Sequence, residues 1–178
     1  RVSIKFNQHV ELDLMFYHGE TIFHMIDRCT RWHAGCILKA DANGKKKSTQ
    51  NLLEALYTVW LSVHGPMETL YVDGESGLNA NAAKLYMKRE GIDFQVRAPN
   101  QHAQFIERRG AVLRHTMHTT EEQLKREGIP VTPPVLLGIS LFSGNALTSV
   151  GGVTPYQGLY GRQPSCLLYT SDAADEHN

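Results

Sequence analysis

Apolar and polar residues alternate along residues 10–17, where the apolar positions repeat with the period of a β-strand: Val10, Leu12, Leu14 and Phe16. Asp13 therefore falls on the opposite face, in the middle of the predicted strand. Burying a lone carboxylate costs much free energy unless the group is paired or holds a metal. The position of Asp13 thus predicts a partner for its charge.

The next two apolar runs, residues 21–29 and 32–40, also read as strands, and a short turn over residues 18–20 precedes them. The connections are too short for a parallel crossover, so the three strands are predicted to form an antiparallel meander. Asp27 lies near the end of the second strand, where a solvated or salt-bridged carboxylate is the expected state.

Later in the chain, apolar residues recur with helical spacing between shorter apolar runs. The pattern predicts a helix over 49–64, a strand over 67–72, a helix over 79–90, a strand over 92–96, and helices over 105–125 and 134–147. Residues 151–164 contain three glycines and two prolines and are predicted to be irregular. The fold class predicted is α/β, a five-stranded mixed sheet with its first three strands antiparallel and helices on both faces.

Asp73 ends the apolar run of the fourth strand, and a glycine-rich turn follows it directly. Ligands of open α/β sheets bind at such strand ends, which makes this carboxylate a candidate metal ligand or catalytic group. The structural alternative is that Asp73 only caps the following helix.

Glu107 is the third carboxylate of interest, and it shares one face of its predicted helix with Gly110 and Arg114. Asp13, Asp73 and Glu107 thus come from a central strand, a strand end and a helix. Carboxylate oxygens are ligands that Mg²⁺ prefers. Two Mg²⁺ ions about 4 Å apart can stabilise the attacking and leaving oxygens of phosphodiester chemistry.

Composition and charge narrow the classes of function. The 178 residues fit one domain, and 42% hydrophobic and 20% charged residues are typical of a folded globular chain. No apolar run reaches the roughly 20 residues of a membrane span, so no membrane partner is expected. The formal net charge is zero, so any nucleic acid would bind through local patches. The three cysteines form no CxxC pair, and GxSxG, GxGxxG and Walker A motifs are absent.

Two further groups admit a chemical interpretation, but a simpler one is favoured for each. Lys45, Lys46 and Lys47 could contact phosphate, yet a charged loop is more often solvated. His115 and His118 have a spacing used in some metal sites, but an exposed polar helix face is the more common explanation.

Three motifs resemble the catalytic core of retroviral and LTR-retrotransposon integrases, the DDE recombinases of the RNase H-like superfamily. The first strand around Asp13 resembles the family's first motif, and the segment at 71–77 resembles the second. Residues 98–108, in which a loop with Pro and His precedes Glu107 and Arg108, are similar to the third. Residues 25–31 and 154–164 resemble two further stretches, and the similarity spans about residues 8–164.

This resemblance implies a polynucleotidyl transferase that processes 3′ ends of element DNA and joins them to target DNA. Asp13, Asp73 and Glu107 would hold two Mg²⁺ ions, for which Mn²⁺ may substitute. The implied DNA contacts are Asn100, Gln101, His102, Arg108 and Arg114. Element-end DNA, target DNA and further copies of the chain would be the partners, in the nucleus. Residues 1–165 would be the core, part of a longer retrotransposon polyprotein.

Two alternatives share this fold: an inactive or domesticated core that binds DNA or assembles, and an RNase H-type nuclease that cuts an RNA–DNA hybrid. Residues 166–178 differ in composition and show no apolar period. They resemble a translated sequencing adapter, so we expect a non-native tail or a disordered terminus.

Overall fold

Five strands form one sheet in the order β3–β2–β1–β4–β5, which places β1 at its centre. The strands are β1 (His9–Tyr17), β2 (Glu20–Asp27), β3 (His33–Ile37), β4 (Thr69–Asp73) and β5 (Asp93–Arg97). The structure is a computed structural model that describes residues 3–41, 44–73, 78, 80–97, 104–149 and 151–167. The prediction of a five-stranded mixed sheet is confirmed.

The first three strands form the predicted antiparallel meander. A two-residue turn joins β1 to β2, because Tyr17 pairs with Glu20 while His18 and Gly19 have φ angles of 45° and 79°. Positive φ at both central residues is typical of the tight hairpin turn that matches strand twist. The turn therefore fixes the register of β1 against β2.

Asp27 ends β2 earlier than the sequence predicted, and the expectation that it is solvated is wrong. Its carboxylate is fully buried and accepts hydrogen bonds from the backbone N–H groups of Cys29 at 3.0 Å and Thr30 at 2.7 Å. The Thr30 hydroxyl and the Asn7 backbone N–H donate to it as well, at 2.8 and 3.0 Å. A side chain that bonds the next backbone groups turns the chain out of the strand.

The remaining pairs, β1–β4 and β4–β5, are parallel. A helical connection precedes β4 and another precedes β5, as parallel strands require. The first is α1 (Thr49–Leu56), which continues through a π-helical segment (Tyr57–Leu61) into α2 (Ser62–His64), and the second is α3 (Asn81–Arg89). Two further helices, α4 (Gln104–Arg126) and α5 (Pro133–Leu147), follow the last strand. The helices predicted from apolar spacing are confirmed, and the π-helical segment within the first of them was not expected. None of the helices within the described ranges is long and apolar enough to cross a membrane.

Each face of the sheet carries its own hydrophobic core. On one face, Val10 and Leu12 of β1 pack with residues of α1, the π-helical segment and α3, including Leu52, Leu56, Trp60, Ala83 and Met87. On the other, Met15 and Ile22 pack with residues of α4 and α5: Leu113, Met117, Leu136, Leu137 and Leu141. Helices on both faces were predicted. Asp13 belongs to the α4 side, because it alternates with Leu12 along β1.

Phe16 does not join the core, although its spacing predicted that it would. Its side chain is 54% exposed at the far end of β1, and the ammonium nitrogen of Lys47 lies 4.6 Å from its ring centre. Lys46 bonds Glu20 at 3.1 Å in the same hairpin. Two of the three loop lysines are thus held by the hairpin rather than simply solvated.

The prediction that residues 151–164 are irregular is wrong, because they contain α6 (Pro155–Tyr160). Thr154 and Gln157 form a reciprocal capping box, Pro155 occupies the first turn, and Gly161 ends the helix with a φ of 68°. A capping residue, a first-turn proline and a terminal glycine are helix-boundary signals. They were present in the sequence, but the helix is too short to show an apolar period.

Candidate active site

Asp13 lies half-buried on β1, on the sheet face covered by α4. The backbone N–H of Leu14 donates to its carboxylate at 2.8 Å. Burial raises the pKa of Asp13 most strongly, and the Leu14 hydrogen bond opposes this rise. The negative charges of Asp73 and Glu107 raise the pKa further, while the positive charge of Arg114 lowers it. Asp13 therefore lies within electrostatic reach of both other candidate carboxylates.

Asp73 is exposed at the end of β4, the strand next to β1. Leu12 pairs with Val72 in the parallel register, so Asp13 and Asp73 are the next residues on their respective strands. Paired positions of neighbouring strands share a face of the sheet. The carboxylates of Asp13 and Asp73 therefore lie on the same face and at the same level along the strands.

Glu107 is exposed in the first turn of α4, and Arg114 follows two turns later on the same side of the helix. Ile106, Leu113 and Met117 bury the neighbouring side of α4 against the sheet. Gly110 also faces the sheet, and a Cβ at that position would be in ordinary van der Waals contact with the Met15 sulfur, at 3.9 Å. The seating of α4 on β1 thus directs Glu107 toward Asp13.

Asp13, Asp73 and Glu107 face one region, but they are not arranged as a set of metal ligands. Across residues 3–41, 44–73, 78, 80–97, 104–149 and 151–167, no three acidic, histidine or cysteine side chains are close enough together to hold a metal ion. Residues 74–77 follow Asp73, and residues 98–103 precede α4; both segments lie outside the described ranges. What the structure provides is a set of like charges facing one region, which is unfavourable without a compensating cation.

Of the five predicted DNA contacts, the structure describes two, which both lie on α4. Asn100, Gln101 and His102 lie outside the described residues. Arg108 is exposed near the start of α4. Arg114 is exposed two turns after Glu107, and its positive charge lowers the pKa of Asp13. The two arginines are therefore accessible to an anionic ligand.

A buried ion-pair network surrounds Glu11, two residues before Asp13 on β1. The sequence patterns did not predict it. Glu11 is fully buried, and its Oε1 atom pairs with Arg28 and, at 2.6 Å, with Arg97. The guanidinium carbons of Arg28 and Arg97 lie 4.7 and 5.5 Å from the centre of the Tyr71 ring. This network joins β1, β4, β5 and the end of β2, which are the elements that carry or flank Asp13 and Asp73.

One signal for this network was available in the sequence. Glu11 occupies the same face of β1 as Asp13. A buried carboxylate at position 11 therefore also needs a partner for its charge. Its partners could not be identified, because Arg28 and Arg97 approach Glu11 only through the order of the strands.

A pair of buried histidines flanks Asp13 on its other side. His24 on β2 pairs with Asp13 in the antiparallel register, and its Nε2 lies 3.2 Å from His33 Nδ1. Burial lowers the pKa of His33 to about 4, helped by the charge of Arg109. Burial also lowers the pKa of His24, so the pair is uncharged at neutral pH. His33 needs Gly144, because a Cβ there would lie 2.5 Å from its Nε2 atom.

Comparison with solved structures defines the class of fold. No model of a protein family matches the chain, and no curated protein sequence matches it. Its sheet order and flanking helices are those of integrase catalytic cores. This agrees with the fold expected from the three sequence motifs.

Particular structures show how close the likeness is. The catalytic core domain of HTLV-2 integrase in complex with magnesium, in dimeric and trimeric forms, matches with a TM-score of 0.69 and 13% identity, covering 88% of this chain and 98% of that one. A chain of the simian T-cell lymphotropic virus intasome in complex with PP2A regulatory subunit B56 gamma gives a TM-score of 0.75 at 13% identity, covering 92% of this chain and 58% of that one. Identity at this level establishes the fold alone.

Proposed function

We propose that this chain is the catalytic core of a retrotransposon integrase, which processes the 3′ ends of element DNA and joins them to target DNA. The observation that carries the proposal is that Asp13 and Asp73 lie at the same level on neighbouring strands, under the start of α4, with the charges of Asp73 and Glu107 both acting on Asp13. A fold shared with integrase cores supports the same reading.

The residues fit a divalent cation in kind, because all three groups are carboxylates and their mutual repulsion would be relieved by positive charge. Asp13, Asp73 and Glu107 would hold two Mg²⁺ ions, for which Mn²⁺ could substitute. Such a pair of ions supplies charge neutralisation at the scissile phosphate when bound.

The other residues of the site would bind and orient DNA. Arg114 lies near enough to Asp13 to lower its pKa, so it can also attract a phosphate into the same region. Arg108 is exposed on the solvent side of α4, about 100° around the helix from Glu107, and can contact DNA that extends beyond the carboxylates. Asn100, Gln101 and His102 precede α4 directly and would contact the substrate there.

Partners and context follow from the same proposal. The HTLV-2 core was solved in dimeric and trimeric forms, and the simian virus chain in an intasome. By analogy, this chain would act as a homo-oligomer on element-end DNA and target DNA in the nucleus. Its core would comprise residues 1–165 of a longer polyprotein, and residues 168–178 of the proposed tail lie outside the described ranges.

A joining assay tests the proposal. The protein is incubated with a fluorescently labelled duplex that serves as both donor and target, with Mg²⁺ or Mn²⁺. We expect joined products longer than the input strand. Asp73→Asn should lower their yield by at least about a hundredfold, since changing even residues that support a metal ligand costs roughly ten- to a hundredfold.

Asp93→Asn is the matched control, because Asp93 is an exposed aspartate on the neighbouring strand β5. Its yield should equal that of the unmodified chain. Cleavage of an RNA–DNA hybrid without joining would instead identify a nuclease, and DNA binding without any product would identify a binding or assembly module. Joining that persists in Asp73→Asn would refute the assignment of the site.

A further inference from the structure

Three arginines lie close together near the start of α4. The guanidinium carbon of Arg31 lies 4.5 Å from the centre of the Phe105 ring. Arg109 follows Phe105 by four residues, so the two share one side of the helix, and Arg108 is next to it. We name Arg31, Arg108 and Arg109 the arginine cluster.

Arg109 and Phe105 lie on the flank of α4 opposite Glu107, and Arg108 lies on the solvent side between the two flanks. Successive helical residues are rotated by about 100°, and the buried side of the helix, marked by Ile106 and Leu113, separates the two flanks. The electrostatic neighbours agree with this geometry. Glu107 acts on Asp13, whereas Arg109 acts on His33, which lies on the far side of Asp13 from β4.

The cluster has no anionic partner within the described part of the chain. The ion pairs there involve other cations, namely Lys5, His18, Arg28, Lys46, Arg89 and Arg97. Arg31 and Arg109 are nevertheless partly buried. Burial lowers the pKa of Arg109, and the charges of Arg31 and Arg108 lower it further. Partly desolvated like charges are unfavourable unless an anion lies between them.

Arg31 also has an unusual backbone. Its φ of 67° is left-handed, a conformation that is unfavourable for a residue other than glycine. This conformation follows the turn made by Asp27 and Thr30, and it accompanies the placement of the guanidinium over Phe105. The aromatic ring can hold the guanidinium in a fixed orientation. Arg31 is thereby pre-positioned beside Arg109.

We propose that the arginine cluster is a second phosphate-binding site, which holds the backbone of duplex DNA along the solvent side of α4 and the flank that faces away from the three carboxylates. The inference rests on the proposed function for its choice of DNA. Guanidinium groups suit phosphate because their planar donors can bond two oxygens at once. With a net charge of zero, the chain needs such local patches to bind DNA at all.

Fluorescence anisotropy on the full chain tests the site. A labelled duplex of random sequence is titrated without divalent cations at several salt concentrations between 50 and 200 mM, a range in which phosphate contacts dominate. Arg31→Gln, Arg108→Gln and Arg109→Gln should each weaken binding by about tenfold. Each should also reduce the slope of log K against log salt by about 0.9.

Arg126→Gln is the matched control, because it removes the same charge from an exposed position at the other end of α4, about 25 Å away. It should leave both quantities unchanged. Arg108 is exposed, so Arg108→Gln tests the site even if a variant of a partly buried arginine unfolds; thermal melting identifies such a variant. Unchanged affinity and slope in folded cluster variants, or an equal loss in Arg126→Gln, overturns the proposal.

Two further arms separate this inference from the proposed function. Single-stranded RNA of the same length should bind more weakly than duplex DNA, and tighter RNA binding that depends on the cluster overturns the assignment to DNA. Glu107→Gln should abolish joining while retaining cluster-dependent binding. Absence of joining in the unmodified chain with cluster-dependent binding intact would count against the integrase, and not against the arginine cluster.

Discussion

Glu11 and Asp13 lie two residues apart on one face of β1, yet their surroundings are opposite. Glu11 is fully buried between Arg28 and Arg97, so its charge is compensated by the protein itself. Asp13 is half-buried and faces Asp73 and Glu107, whose charges raise its pKa. One face of a single strand thus carries a compensated acid and an uncompensated one.

The difference indicates a division of roles along the strand. The ion pairs of Glu11 connect β1 to the end of β2 and to β5, just before residues 98–103, and both arginines also contact the Tyr71 ring of β4. Such a network fixes backbone positions beneath the site. The repelling carboxylates above it are not held together by the protein, and a cation would supply the missing attraction. Three predictions test this contrast, from the largest expected effect to the smallest.

The largest effect should come from Glu11→Gln, which leaves two arginine side chains beside a neutral amide. Removing one partner of a buried ion pair typically costs about 3–5 kcal/mol, because the remaining charge is uncompensated. Urea unfolding should therefore show a loss of this size. Glu68→Gln provides the comparison, since it breaks an exposed pair with Lys5 that solvent screens, and it should cost far less stability than Glu11→Gln. Equal effects would contradict the view that Glu11 is structural.

An intermediate effect should appear as a pH dependence of His33, which borders the site from β3. Its pKa of about 4 lies below the ordinary value of 6.5, so the unfolded chain binds a proton first as pH falls. The contribution to stability is complete above pH 6.5 and is lost progressively down to about pH 4, by about 3 kcal/mol. Relative to His33→Gln, the unmodified chain should lose up to that much between pH 7 and 4. Parallel pH profiles in urea unfolding would show that His33 is not buried uncharged.

The smallest effect should come from Asp13→Asn, and it should have the opposite sign to that of Glu11→Gln. Because the pKa of Asp13 is raised in the folded state, its ionisation disfavours folding once the pH exceeds the ordinary value of 3.8. The variant should therefore gain stability over the unmodified chain as pH rises above that value, by up to about 1 kcal/mol without divalent cations. A loss of similar size at pH 7 would mean that Asp13 has a compensating partner.

Much of this fold follows from local patterns. Alternation along β1 identified the strand, and it placed Asp13 on the polar face correctly. Cooperative features were harder to predict. Asp27 looked exposed because its hydrogen-bond donors come from the turn that it creates, and α6 was missed because its capping signals lie within a segment rich in glycine and proline.

In the candidate site, too, some residues could be predicted from the sequence and others required the tertiary structure. The three carboxylates were predicted as a set from their chemistry and from the resemblance, and their role as metal ligands stays a prediction. The pairing of Glu11 with Arg97 depends on β1 and β5 both neighbouring β4, a relation that no local pattern contains. Arg31 contacts Phe105 only because α4 packs over β1 and β2, so the arginine cluster also required the tertiary structure.

Melting temperature measured against Mg²⁺ concentration, at constant ionic strength, tests most directly whether the three carboxylates form one cation site. A ligand that binds only the folded state at a hundred times its dissociation constant adds about 2.7 kcal/mol. The melting temperature of the unmodified chain should therefore rise, and Asp13→Asn, Asp73→Asn and Glu107→Gln should each remove most of that rise, while Asp93→Asn should keep it. Equal rises in the three variants and the unmodified chain would contradict the account.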